Sequence, residues 1–213
     1  MIKKLQSTIK EHIKNNRKSY LFLLMAFTLG VCAGAFTVNG LSSMQRDELL
    51  HYFQGFLQLF DNLNMNSSEL FYMALLQNLK IIGLLWILGV TIIGLPFIFI
   101  ILGIRGFTTG FSSGFVISAL GMDGLMFSGI ALLPKEILIV PCLIAIGVNG
   151  INFSMSIAKN KTRDGSNKTG LKSAFVSYCL VTLLLTCIIV AGIVFDAYIT
   201  PTLLRMISMA LTT

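Results

Sequence analysis

Five stretches of this chain contain no Asp, Glu, Lys or Arg: 19–45, 81–104, 106–122, 137–158 and 173–195. Together they take in 113 of the 213 residues. A bilayer core about 30 Å thick is crossed by about 20 apolar residues of helix, and each run approaches or exceeds that length. Composition agrees: 55% of residues are hydrophobic, 12% are charged and the mean hydropathy is +0.83, whereas soluble proteins carry about 25% charged residues. A soluble globule, a disordered tail and a secreted disulfide scaffold are excluded. The expected fold class is all-α: a polytopic membrane helix bundle forming one integral membrane domain over 1–213. Spans are expected at about 20–38, 79–104, 106–121, 135–158 and 173–195.

A net charge of +7 and a pI near 9.4 raise the question of nucleic acid. No basic run is interleaved with aromatics, however, and the positive charge alternates with the apolar runs. The positive-inside rule accounts for it without nucleic acid. With the N terminus in the cytoplasm and five crossings, the leader (Lys3, Lys4, Lys10, Lys14, Arg17, Lys18), Arg105 and the loop holding Lys159, Lys161, Arg163, Lys168 and Lys172 all fall inside. That places 12 of 16 basic residues inside with only Glu11 and Asp164, a balance of +10 inside against −3 outside. The reading is N-in, C-out.

Between the first two spans, 44–63 carries Leu49, Phe53, Phe56, Phe60 and Leu63 at near-helical period, opposed by Arg46, Asp47, Glu48, Gln54 and Asp61. It reads as an extracytoplasmic amphipathic helix. Such a helix can lie on the membrane surface, pack on the bundle, or bind a partner through Leu49, Phe53, Phe56 and Phe60. Asn66 and Glu69 resemble the cap and first turn of the next helix. The third crossing is short and glycine-rich. Beyond Asp123, the nine residues 125–133 span about 14 Å as helix and cannot cross alone. They either extend the third helix after a kink or form a re-entrant segment, and the cost of Asp123 in lipid favours re-entry. Pro96, well inside the second span as placed, and Pro141, near the start of the fourth, are the expected kink positions.

The basic leader, apolar run and Ala33-Gly34-Ala35 triplet imitate an export signal, and Leu29-Gly30-Val31-Cys32 imitates a lipoprotein box. The apolar run is too long for a signal core of about 7–15 residues, and Val31 occupies a position where a small residue is needed. The first span is expected to be retained. Cys32, Cys142, Cys179 and Cys187 all fall in apolar runs without metal or redox spacing, so they read as packing residues.

Chemistry-bearing groups are sparse. His12 and His51 lie outside the runs, no acid lies within one, and no glycine-rich stretch is followed by a phosphate-binding lysine. No catalytic, cofactor-binding or metal-ligating residue is therefore assigned, and no cofactor is expected. Asn78 with Lys80 at the start of the second span, and Asn149 with Asn152 on one face of the fourth, are the notable polar groups. They fit interhelical hydrogen bonds or a solute pathway. The most distinctive run is Arg105-Gly106-Phe107-Thr108-Thr109-Gly110-Phe111-Ser112-Ser113-Gly114-Phe115. Gly106, Gly110 and Gly114 form a small-residue strip, with Phe107 and Phe111 as a ridge beside it, and Gly30 and Gly34 make a similar groove on the first span. Strips of this kind admit another helix at close range, from the same chain or from a second copy.

The chain resembles the stage II sporulation protein M family. Asn78-Leu79-Lys80, Gly94-Leu95-Pro96, the glycine–phenylalanine run, and Leu132-Leu133-Pro134 leading to Ile139-Val140-Pro141 carry the resemblance. It implies a non-enzymatic scaffold in the mother-cell membrane, septal and then engulfing, that localises and assembles the peptidoglycan-degrading stage II sporulation proteins P and D. Membrane lipids are the other expected partner. A multi-span transporter or channel for an uncharged or weakly polar solute is the alternative, using Asn149, Asn152 and the Pro96 kink.

Overall fold

The computed structural model describes residues 13–62, 67–129, 133–162 and 168–211. Asn66, the expected cap, and part of segment 125–133 lie outside the described residues, as do the side chains of Phe56, Phe60, Glu69 and Asp123. Among the described residues seven helices run in the order α1 (Arg17–Asn39), α2 (Ser43–Asn62), α3 (Ser67–Val90), α4 (Gly94–Leu120), α5 (Met122–Phe127), α6 (Leu133–Thr162) and α7 (Lys168–Leu211), and none of those residues is in a strand. Five are long and apolar enough to cross a membrane: Arg17–Asn39, Phe71–Val90, Gly94–Leu120, Pro134–Lys159 and Lys172–Val194. Helix is the form such runs take in lipid, because every backbone N–H and C=O then finds its partner within the segment.

The second and third helices depart from the expected bounds of 79–104 and 106–121. The break falls at 91–93, and α4 runs unbroken through Arg105. Pro96 is thus not a mid-span kink but the third residue of α4, in the first turn, where its missing N–H costs nothing. The reversal is tight. Gly94 N–H donates to Thr91 O at 3.2 Å, and a methyl on Gly94 would strike the Leu88 carbonyl. Ser154 Oγ on α6 donates to Thr91 O at 2.9 Å and anchors the turn from the side. Pro141 lies inside α6 as its ninth residue.

Two other junctions are set by local chemistry. Ahead of α2, Ser42 and Gln45 cap each other: Gln45 N–H donates to Ser42 Oγ at 3.4 Å and Ser42 N–H to Gln45 Oε1 at 3.1 Å, the reciprocal arrangement of a capping box. After α4, Gly121 adopts φ +63°, a conformation that side-chain-bearing residues disfavour. The chain then folds back, so that a methyl on Gly124 of α5 would meet the Val116 carbonyl. Segment 122–127 therefore returns along α4 and does not extend it.

Helix α6 is central. Of its apolar window 61% is buried, against 17–28% for the other four, and it packs against α1, α3, α4 and α7. Leu23, Leu85, Ile98, Leu102, Leu143, Ile146 and Ile189 are fully buried around it. Large apolar side chains such as Leu29, Phe36 and Ile93 stay exposed on the outside. Lipid tails are as apolar as these side chains, so the bundle is held by close packing and interhelical hydrogen bonds and not by apolar burial.

Candidate functional site

The glycines singled out by spacing meet one another. α1 and α4 form the most extensive helix pair in the molecule, and they run in parallel. A methyl on Gly30 would strike the Gly103 carbonyl, one on Gly34 the Phe107 carbonyl, one on Gly106 the Phe27 carbonyl and one on Gly110 the Val31 carbonyl. Gly114 approaches Ala35 Cα, at 3.2 Å from an added methyl. Backbone lies directly on backbone along this seam, a separation that any larger residue would widen. Phe107 and Phe111 stack beside it at 6.2 Å. The strip is thus filled by a helix of the same chain.

On another side of α4 lies a polar cavity of about 180 Å³, bounded by α3, α4, α6 and α7. Its lining includes an ion pair: Arg105 Nη2 donates to Glu136 Oε1 at 2.8 Å, with the two side chains 10% and 13% exposed. Arg105 is the twelfth of 27 residues in α4, near mid-helix. The expectation of Arg105 in a loop, with no ionisable residue inside the bundle, is therefore corrected. Charge at that depth is costly unless paired, and α6 supplies the partner from its first turn. Thr108, Thr109, Ser112 and Ser113 of α4 line one wall, Gln77 and Asn78 of α3 the opposite one, and Lys135 stands near Glu136. The Thr108 and Thr109 hydroxyls donate to the carbonyls of Ile104 and Arg105, at 2.9 and 3.0 Å. Asn78 and Lys80 lie well inside α3, not at its start, with Asn78 buried and Lys80 exposed. The core of the same helices is apolar, with Leu102, Ile98, Leu143 and Ile146 fully buried.

The other polar groups act as struts. Asn149 Nδ2 donates to Tyr178 O at 3.2 Å and Thr182 Oγ1 at 3.3 Å, tying α6 to α7. The Tyr178 hydroxyl donates to Trp86 O at 2.9 Å and reaches α3, while its ring stacks on Phe153 at 4.8 Å. Asn152 is half-buried one turn further along, and its carbonyl accepts from Ser156. Asn149 is thereby spent on packing.

The amphipathic helix α2 packs on the bundle through Phe53. Phe53 meets Phe115 of α4 edge-on, with ring centroids 6.0 Å apart and planes at 87°, and Leu49 is half-buried. Phe53, expected as a partner contact, is therefore used within the chain. Met44, Asp47, Glu48, His51 and Tyr52 form the exposed face.

The sequence signal for the ion pair was present but ambiguous. Arg105 sits between two apolar runs, and spacing alone does not distinguish a short loop there from a mid-helix charge. The Gly94-Leu95-Pro96 triplet is the better sign of the break, since a proline disfavours helix in the residue before it and suits the first turn after it.

The sequence model of the stage II sporulation protein M family matches residues 23–201. No curated protein and no solved structure matches the chain. With most of its length covered, the chain belongs to the stage II sporulation protein M family.

Proposed function

We propose that this member of the stage II sporulation protein M family is a non-enzymatic membrane scaffold that localises and assembles peptidoglycan hydrolases, stage II sporulation proteins P and D, for forespore engulfment. The family match over 23–201 carries this reading. Asn149, the polar group a solute pathway would use, is tied to α7 by its hydrogen bonds to Tyr178 and Thr182. No feature favours the transporter alternative, which needs a polar route through the bundle.

The orientation N-in, C-out goes with this function, because it turns α2 and the α4–α6 connection toward the wall. Moving Arg105 into α4 leaves the alternation intact, since α3 and α4 still make two crossings. The leader and the 159–172 loop keep eleven basic residues on the cytoplasmic side. An impermeant thiol reagent applied to intact cells is expected to label Ser208→Cys and not Ser166→Cys, with Ser166→Cys reacting only after lysis. The reverse pattern overturns the orientation.

The exposed face of α2 is the proposed contact for the hydrolases. Tyr52 is 70% exposed and centrally placed, and buried aromatics dominate binding energy at protein interfaces. Co-purification of the hydrolases from sporulating cells is expected to fall at least tenfold in Tyr52→Asp with membrane levels unchanged. Phe53→Ala is expected to lower the level of the protein itself, because Phe53 packs on Phe115. Full recovery of both hydrolases with Tyr52→Asp removes this face from the interface.

A further inference from the structure

We propose that the exposed side of α3 centred on Lys80 docks a membrane-spanning helix of another protein, one that carries an aspartate or glutamate at mid-span. Lys80 is the tenth of the twenty residues in the span Phe71–Val90, about 14–15 Å of helix from either end. Its side chain is exposed and, among the described residues, makes no hydrogen bond or ion pair. Met73, Leu76, Leu84 and Ile87 are exposed as well, and they stand four and seven residues to either side of Lys80. Helical period puts all five on one stripe with Lys80 at its centre. The buried Asn78, Ile82 and Leu85 lie on the opposite side of the helix, toward the bundle.

A lysine in that place is incomplete in a chain that acts alone. Ionisable residues within spans face the bundle interior and pair there, as Arg105 does with Glu136. Near a helix end a lysine reaches the headgroups along its four-carbon stem, but that stem is short against the distance from Lys80 to either end. Lipid tails offer no counter-charge. What completes Lys80 is therefore a carboxylate held at its own depth, and a second membrane-spanning helix delivers one there.

A second copy of this chain does not serve. Of the nine acids only Glu136 falls within one of the five candidate spans, and it is buried against Arg105. A twofold axis through the stripe would also set Lys80 against Lys80. The occupant is thus a different membrane protein. Shape agrees with charge: an added carbon on Gly83 meets nothing within 4 Å, so main chain lies open on the flank of the stripe and admits a helix at close range. This surface shares no residue with the face of α2 assigned to the hydrolases, so the two assignments fail separately.

The test places a photo-crosslinking residue at position 84 or 76 of the full chain in sporulating cells, with position 183, an exposed leucine on α7, as the control. The expected result is an adduct from 84 and 76 and not from 183, whose crosslinked peptide lies in a membrane span of another protein and holds an Asp or Glu at its middle. Lys80→Leu puts a lipid-compatible side chain at the same exposed position. It is expected to keep the native membrane level and to lower the adduct at least tenfold, while Lys80→Arg keeps the adduct. Exchanging the charges, Lys80→Glu with the partner's acid replaced by lysine, is expected to restore it. An adduct to a second copy, to lipid alone or to a span without an acid overturns the proposal, as does no adduct at either position or an undiminished one in Lys80→Leu.

Discussion

Substituting Gly110 by valine is expected to remove the protein from the membrane almost entirely, whereas Gly103→Ala is expected to accumulate at the native level. Both glycines lie on α4 and both face α1, two turns apart. They differ in what an added carbon meets. At Gly110 it meets the carbonyl oxygen, carbon and Cα of Val31, all backbone atoms. At Gly103 the nearest neighbour is the Ala26 carbonyl oxygen at 3.7 Å, an ordinary contact. Backbone cannot rotate out of the way as a side chain does, so relief at Gly110 requires α1 and α4 to separate. Overpacking of a close-packed site costs about 1–3 kcal/mol where neighbours adjust, and more is expected where the neighbour is main chain. Separation would also undo the matching approaches at Gly30, Gly34 and Gly106. Gly83, with nothing within 4 Å of an added carbon, is the tolerant control: Gly83→Ala is expected to be neutral or to stabilise by up to about 1 kcal/mol through helix propensity. Immunoblotting of membrane fractions and melting in detergent measure the contrast. Native levels of Gly110→Val would show that the seam is not required.

The second large effect belongs to the ion pair. Glu136→Ala or Arg105→Ala is expected to destabilise the bundle by about 3–5 kcal/mol, because each leaves one buried charge without its partner. The double substitution Arg105→Met with Glu136→Leu is expected to be far milder than either single change and could match the native protein. A buried pair offsets its own desolvation without adding much, so an apolar replacement of similar volume serves the fold as well. Unfolding of the native, single and double variants in one detergent forms a closed double-mutant cycle. Additive losses would show that the two residues do not act as a pair.

Much of the architecture was legible without coordinates. The absence of charge over 113 residues determines an all-α membrane protein with five spans, since lipid admits only structures that satisfy their own backbone. Fourfold spacing of Gly106, Gly110 and Gly114, and of Gly30 with Gly34, marks two close-approach surfaces in the same way.

Tertiary structure decided the rest, because it turns on which surfaces meet. That the two glycine strips pack on each other, and not on another molecule, depends on α1 and α4 running in parallel within one bundle. The break at 91–93 could not be separated from one at Arg105 by charge alone. A lone arginine between apolar runs is a loop if unpaired and a mid-helix residue if an acid reaches it. Glu136 lies 31 residues further along the chain, and only the return of the chain after Gly121 brings the two together. Phe53 shows the same division. Its place on an amphipathic helix follows from periodicity, but its contact with Phe115 follows from folding.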